Sequence, residues 1–237
     1  MKTALLLLTL LLPSLAIAQP SFRPELLRPG IDSLAVYFVN GSDTTRTGLV
    51  MDELTFSTLD GSQVIRRVYR SLDRVMGVRL DTLVDDASSL APLLHRSRAS
   101  NGIEAYTFAD GRVTGWKRLA NGDSVGVSAP VPIGVINAST VDLALRSSPL
   151  AEGWSTTIHA FMPDARTLAS LPARVVSIDT LYGEAAYRVA VDFAGLSVTF
   201  WIGQDARRLL RQVMQLRPDR AILFARPAGT SASKRAT

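Results

Sequence analysis

Tyr187-Arg188-Val189-Ala190-Val191-Asp192-Phe193-Ala194-Gly195-Leu196-Ser197-Val198-Thr199-Phe200-Trp201-Ile202 is the stretch whose pattern decides the fold. Tyr187, Val189, Val191 and Phe193 fall on one side of an extended chain, with Arg188, Ala190 and Asp192 on the other. After Ala194-Gly195 the same period returns: Leu196, Val198, Phe200 and Ile202 share a face, opposite Ser197, Thr199 and Trp201. A period of two on both sides of a tight turn is a β-hairpin with one face turned inward.

The pattern extends outward from this hairpin. Beyond Gly203-Gln204-Asp205 a strand is expected near Arg208 to Leu216. Arg217-Pro218-Asp219 then turns into a last strand, Ala221 to Ala225. Upstream, Asn40-Gly41, Asp60-Gly61, Asn101-Gly102, Asp110-Gly111 and Asn121-Gly122 supply the positive φ that tight hairpins require. They punctuate expected strands at Leu34–Val39, Thr45–Ser57, Gln63–Ser71, Val75–Val84, Leu90–Ser97, Glu104–Phe108 and Arg112–Leu119. One helix interrupts them. Ser139-Thr140-Val141-Asp142 resembles a capping box with Asp in place of Glu or Gln, Val141, Leu143, Ala144 and Leu145 form its apolar face, and Pro149 stops it. The fold class is mostly β: a curved antiparallel sheet, half-barrel or barrel-like, with one short helix. Such a sheet must curl, or pack on a second, to hide its apolar face.

The ends differ from the middle. Lys2 precedes an apolar run, Ala4 to Leu12, and Ala16-Ile17-Ala18 follows: a charged start, a short apolar core and a small-x-small site make a secretory signal peptide. The run is shorter than the roughly 20 residues that span a bilayer. The expected organisation is a signal peptide over 1–18, a Pro-rich linker over 19–30, a single mostly-β domain over 31–224 and a flexible basic tail over 225–237. The expected location is therefore outside the cytoplasm, in the periplasm or beyond, with no transmembrane anchor after cleavage.

Cysteine is absent and the formal net charge is +5. Without cysteine there is no disulfide, no thiolate nucleophile, no zinc–thiolate or iron–sulfur site, and no thioether lipid anchor. Export without disulfides points to a bacterial envelope. The basic residues are scattered arginines, which suits a solvated surface better than a nucleic-acid footprint. No Gly-rich phosphate loop and no G-x-S-x-G is present, and neither a cofactor nor a metal is expected.

His95 and His159 are the only histidines. They lie far apart in sequence, and the ordinary reading is a packed or surface imidazole. Asp81, Asp85 and Asp86 cluster, but the spacing lacks a calcium loop's central Gly; a solvated strand end is expected. Ser231-Ala232-Ser233-Lys234 matches S-x-x-K, but inside the tail it is a chance match. Asn40-Gly41-Ser42 and Asn137-Ala138-Ser139 read as a turn and a helix start. Trp116, Trp154 and Trp201, with Phe108, Phe193 and Phe200, are placed on strands. They form core or, on a curved sheet, wrap an apolar ligand.

Three stretches carry a family resemblance: Tyr106-Thr-Phe-Ala-Asp-Gly-Arg-Val-Thr-Gly-Trp116, Leu143-Ala-Leu-Arg-Ser-Ser-Pro-Leu-Ala-Glu-Gly-Trp154, and Val198-Thr-Phe-Trp-Ile202 with Arg207-Arg-Leu-Leu-Arg211. In these the chain resembles bacterial exported proteins of the domain of unknown function 3108 type. More distantly it is similar to the half-barrels of periplasmic lipoprotein carriers. The resemblance implies a strongly curved sheet with a helix near its open face, and non-catalytic handling of a lipid or acyl partner. It brings no catalytic residues.

Three functions are open on these grounds. The first is a carrier of a lipid, acyl chain or lipoprotein, with Leu196, Val198 and Phe200 lining the site and rim arginines meeting a head group. The second is a structural module that lends a sheet edge to an envelope protein partner. The third, a hydrolase on His95 or His159, requires a carboxylate within hydrogen-bond reach of one imidazole.

Overall fold

The computed structural model describes residues 22–227. The expected signal peptide and most of the basic tail, including Ser231 to Lys234, lie outside the described residues.

Fifteen strands form one sheet: β1 (Gly30–Asn40), β2 (Asp43–Leu59), β3 (Ser62–Asp73), β4 (Gly77–Asp86), β5 (Pro92–Ala99), β6 (Gly102–Ala109), β7 (Arg112–Leu119), β8 (Ser124–Pro130), β9 (Ile136–Asn137), β10 (Ser155–Met162), β11 (Thr167–Leu181), β12 (Glu184–Phe193), β13 (Leu196–Gly203), β14 (Leu209–Arg217) and β15 (Arg220–Ala225). Helix α1 (Val141–Arg146) sits between β9 and β10. The order across the sheet is β8 back to β1, then β15 back to β9. Two meanders are thus joined where the first and last strands pair, Ala35 opposite Ala225 through Asn40 opposite Arg220. Every pairing is antiparallel except the short β9–β10 contact.

The hairpin 187–202 is β12–β13, with Val189 opposite Phe200 and Phe193 opposite Leu196. All five Asn-Gly and Asp-Gly sites fall at hairpin turns. Strands β8, β10 and β11, and the two-residue β9, were not expected. The mostly-β, curved sheet is as expected, and of the half-barrel and barrel forms left open it takes the unclosed, half-barrel-like one.

The sheet does not close: β8 and β9 are its two edges and do not pair. Side chains bridge the seam instead. Tyr106 and Phe108 from β6 meet Phe161 of β10 edge-on, at 5.8 and 5.5 Å between ring centroids. With Val113, Val127, Val131 and Val135 they form a small second core.

A barrel of about eight strands is just filled by its own side chains, and wider sheets leave a lumen. Here α1 blocks one end of that lumen. All six of its residues are buried, and Val141, Leu143, Ala144 and Leu145 belong to the main core with Leu34, Val36, Ile158, Val189 and Phe200. The helix start differs from the expected capping box. Asn137 is the cap, its side-chain oxygen accepting from the Ser139 amide at 2.9 Å at the head of a 3-10 turn, Ala138–Thr140, that runs into α1. Asp142 does not reach back to a cap because it is engaged elsewhere.

That engagement is with Arg67 of β3. Its guanidinium meets Asp52 through Nε and Nη2 (2.7 and 2.8 Å), and Asp142 through Nη1 and Nη2 (2.6 and 3.2 Å). Nη1 also donates to the Ser139 carbonyl at 2.8 Å. Arg67 and Asp142 are buried and Asp52 is partly so; burial acts against the Arg67 charge, but the two carboxylates hold its pKa well above the ordinary value. At the other end of α1, the Ser147 and Ser148 hydroxyls donate to the Leu143 and Ala144 carbonyls. Ser147 O in turn accepts from the Arg23 amide, which brings the segment before β1 onto the plug.

Removing one partner of a buried ion cluster strands the others. Arg67→Ala is expected to lower unfolding stability by about 3–5 kcal/mol. Urea titration checks this; a loss under 1 kcal/mol would mean that α1 holds its place without the cluster.

Candidate functional site

The period of two in β3 and β4 sets alternate residues on the inner face. Cross-strand register stacks them in pairs: Ser71 with Arg79, Tyr69 with Asp81, Arg67 with Leu83, Ile65 with Asp85. Facing them are Val198 opposite Met214 and Phe200 opposite Gln212, followed by Gln212 opposite Phe224. Between these two inner faces lies a cavity of about 340 Å³. Its walls differ in kind. Tyr69, Ser71, Arg79 and Asp81 make one wall polar, while Leu196, Val198, Phe200, Met214 and Phe224 make the other apolar but for Gln212 among them. Its floor is Ser139, Val141 and Asp142 of the plug beside Arg67. It runs toward three hairpins, at Met76-Gly77, Pro163-Asp164 and Phe193–Leu196.

All three residues expected to line a ligand site, Leu196, Val198 and Phe200, stand on the apolar wall. The polar wall escaped the sequence reading. Arg79 pairs with Asp81 through Nε at 2.7 Å. Across the mouth, Asp164 in the β10–β11 turn reaches Lys117 at 3.4 Å and Arg79 at 4.0 Å, and Lys117 also pairs with Glu104 at 3.2 Å. The Ser71 hydroxyl is buried on the wall with no partner among the described residues. Burial pushes the Tyr69 phenol up, with the Arg67 charge opposing, so it remains a neutral donor.

The aspartate cluster is not the solvated strand end that was expected. Asp81 and Asp85 are buried on the inner face, because they share Leu83's side of β4. Asp86 alone serves the strand end, accepting from the Ser88 and Ser89 amides. Neither carboxylate oxygen of Asp85 has a hydrogen-bond partner among the described residues. Burial holds its pKa well above the ordinary range, partly offset by Arg67.

His95 is fully buried on β5. Its Nδ1 bonds the Asn137 side-chain amide at 3.1 Å, and burial pushes its pKa down despite Asp81 and Glu104. His159 bonds the Ser170 hydroxyl at 3.1 Å. The ring hydrogen bonds of both histidines therefore go to neutral groups and not to the carboxylate that a hydrolase required. Of the aromatics, Phe200 is core and Phe193 packs on it. Trp116 and Trp201 lie on the outer face, and Trp154 precedes β10 instead of standing on a strand. A broader trough, about 610 Å³, runs over β10–β13 between short polar side chains such as Ser155, Thr157 and Ser197.

A family model described as "Protein of unknown function (DUF3108)" matches residues 54–217. The chain belongs to that family. The match begins within β2, two residues after Asp52, and runs through Arg67 and the plug to the end of β14, short of Phe224. Among solved structures, the beta-barrel-like protein of domain of unknown function DUF1849 from Brucella abortus is similar at a TM-score of 0.49 and 11% identity, over 81% of this chain and 94% of that one. No curated protein matches the chain.

The Asp85 carboxyl has a signed pH dependence. Below its ordinary pKa, 3.8, it is protonated in both folded and unfolded chains. As pH rises, the unfolded state ionises first, so folding loses stability until the folded pKa is passed. Asp85→Leu is expected to stabilise the protein by about 1–3 kcal/mol at pH 7, with the gain shrinking toward pH 4. Urea titrations at both pH values check it; an equal or larger gain at pH 4 would refute the assignment.

Proposed function

We propose that this family member is an exported, non-catalytic envelope protein that holds a single acyl chain or similar hydrophobic ligand inside its half-barrel. The supporting observation is the cavity whose one wall is apolar except for Gln212 and reaches the mouth between hairpins. Its volume of about 340 Å³ stands at the small end of the range for small-molecule sites, roughly 300–1,000 Å³. One chain suits that volume; a multi-chain lipid does not.

The energetics are consistent with such a role. Roughly ten buried methylenes yield about 8 kcal/mol, equivalent to a micromolar Kd before ordering costs. The tail lies against Val198, Phe200, Met214 and Phe224. The polar end meets Arg79, Tyr69 and the unpartnered Ser71 hydroxyl. Arg79 is already neutralised by Asp81, so a neutral or singly charged polar end suits the site better than a multiply charged one. Export rests on the first eighteen residues.

Native mass spectrometry of protein recovered from a bacterial envelope, followed by organic extraction, tests both parts. The expected result is a chain beginning at Gln19 with an amphiphile of defined mass, released on denaturation. Leu196→Trp, which fills the mouth side of the apolar wall, is expected to weaken uptake of a fluorescent fatty acid at least tenfold without loss of fold. Protein that carries nothing and takes up no acyl probe would sink the reading.

A further inference from the structure

The β3–β4 hairpin is inside-out. Near the mouth its inner face carries Tyr69, Ser71, Arg79 and Asp81, while its outer face and tip carry Leu72, Val75, Met76, Val78 and Leu80. Leu72 is 58%, Val75 55% and Val78 60% exposed, and Leu72 and Val78 are direct cross-strand partners. A contiguous exposed apolar patch is a docking surface more often than an accident.

The patch has a fixed shape. The Asp73 carboxylate accepts from the Val75 and Met76 amides at 2.8 and 2.6 Å and from the Thr47 hydroxyl at 2.5 Å. Gly48 lies beneath it, where any Cβ would strike the Leu72 carbonyl and Asp73. These contacts also turn Asp73, the one acid between Leu72 and Val78, inward and away from the tip.

One register step behind the apolar rim, the outer face becomes basic. Arg70 is opposite Leu80, Leu80 opposite Arg98, Arg98 opposite Ile103 and Ile103 opposite Arg118. Arg74, Arg96 and Arg98 are exposed and have no ion-pair partner among the described residues. An apolar tip backed by unpaired arginines complements an anionic bilayer surface, with apolar side chains among the acyl tails and guanidinium groups at the phosphates.

The geometry points to the β3–β4 hairpin as a docking element for anionic lipid surfaces, bringing the cavity mouth against the bilayer. Only its purpose, moving an amphiphile between membrane and cavity, rests on the function proposed above; the docking itself does not. Met76 and Gly77 line the cavity, so the docked tip is also a margin of the mouth.

Co-sedimentation of the purified protein with vesicles tests it, using phosphatidylcholine alone and phosphatidylcholine mixed with phosphatidylglycerol. The expected result is binding that is stronger on the anionic vesicles and weakened by salt. Val75→Asp with Val78→Asp should reduce it at least tenfold on both. Arg96→Ala with Arg98→Ala should abolish the anionic preference. Ile178→Asp, at a 48%-exposed position on another strand, should change nothing. Circular dichroism confirms each fold, and Val75→Ser with Val78→Thr replaces the aspartate pair if that pair misfolds.

Protein that stays in the supernatant with both vesicles overturns the proposal, as does undiminished binding by the hairpin variant. Self-association abolished by the hairpin variant, without vesicle binding, overturns it in favour of a second copy as the occupant. Acyl-probe uptake is measured separately. Vesicle binding without uptake refutes the ligand reading alone, and uptake without vesicle binding refutes docking alone.

Discussion

The cluster of Arg67 with Asp52 and Asp142 is the contact on which the interior depends. A sheet this wide cannot fill its own lumen, and six residues of helix are far too few to be stable alone. The plug exists because the sheet holds it. Its apolar residues enter the main core, and its polar side is fastened by one guanidinium reaching β2, α1 and the preceding 3-10 turn together. Burying three charges is costly, and the cost is offset only because the geometry is close to complete. The cavity follows from this arrangement. A floor that includes the Arg67–Asp142 pair cannot collapse into apolar space as a leucine floor would.

The seam shows a second consequence of size. Closing fifteen strands by backbone hydrogen bonds would fix the circumference. Instead β8 and β9 stay apart, and side chains of different character bridge the gap: aromatic rings in the middle, the buried His95–Asn137 bond near the plug, and Lys117 with Asp164 near the mouth. The mouth contacts are the more exposed, and exposed ion pairs contribute little. The plug end of the seam is therefore held by buried contacts and the mouth end by exposed ones.

Most of the architecture was legible in the sequence because period-two alternation and Asn-Gly or Asp-Gly turns are local signals. Hairpin 187–202 and the later strands could be read directly. Strands β8, β10 and β11 escaped. In β8, Ser124-Val125-Gly126-Val127-Ser128 is short and carries Gly and Ser, and in β10 and β11 runs such as Ser155-Thr156-Thr157 and Ala173-Arg174-Val175-Val176 blur the alternation. The apolar wall could be read from the same hairpin, since Leu196, Val198 and Phe200 share a face. The polar wall could not. Asp81 and Asp85 look like a solvated strand end until it is known that their face of β4 turns inward. That fact is set by the neighbouring strands and by α1, which lies far away in the chain. Arg67 is one arginine among many, and nothing local distinguishes the one that meets Asp142.

The two walls together define the chemistry of this interior. In β13 and β14 the inward residues at the cavity are apolar apart from Gln212, close to the usual order of a soluble sheet. In β3 and β4 near the mouth the polarity is reversed, with charge inside and leucine and valine outside. A register slip of one residue would restore the usual order, yet the pairing of Ser71 with Arg79 and Leu72 with Val78 holds the reversal, and Asp73 anchors it at the turn. In water alone the reversal is costly twice, once for the exposed apolar tip and once for the buried Arg79–Asp81 pair. Both costs fall when the same element has an amphiphile's polar end on one side and a lipid surface on the other. The strand pair that is least stable by the ordinary rule of polarity is thus the one that forms both the cavity's polar wall and its margin.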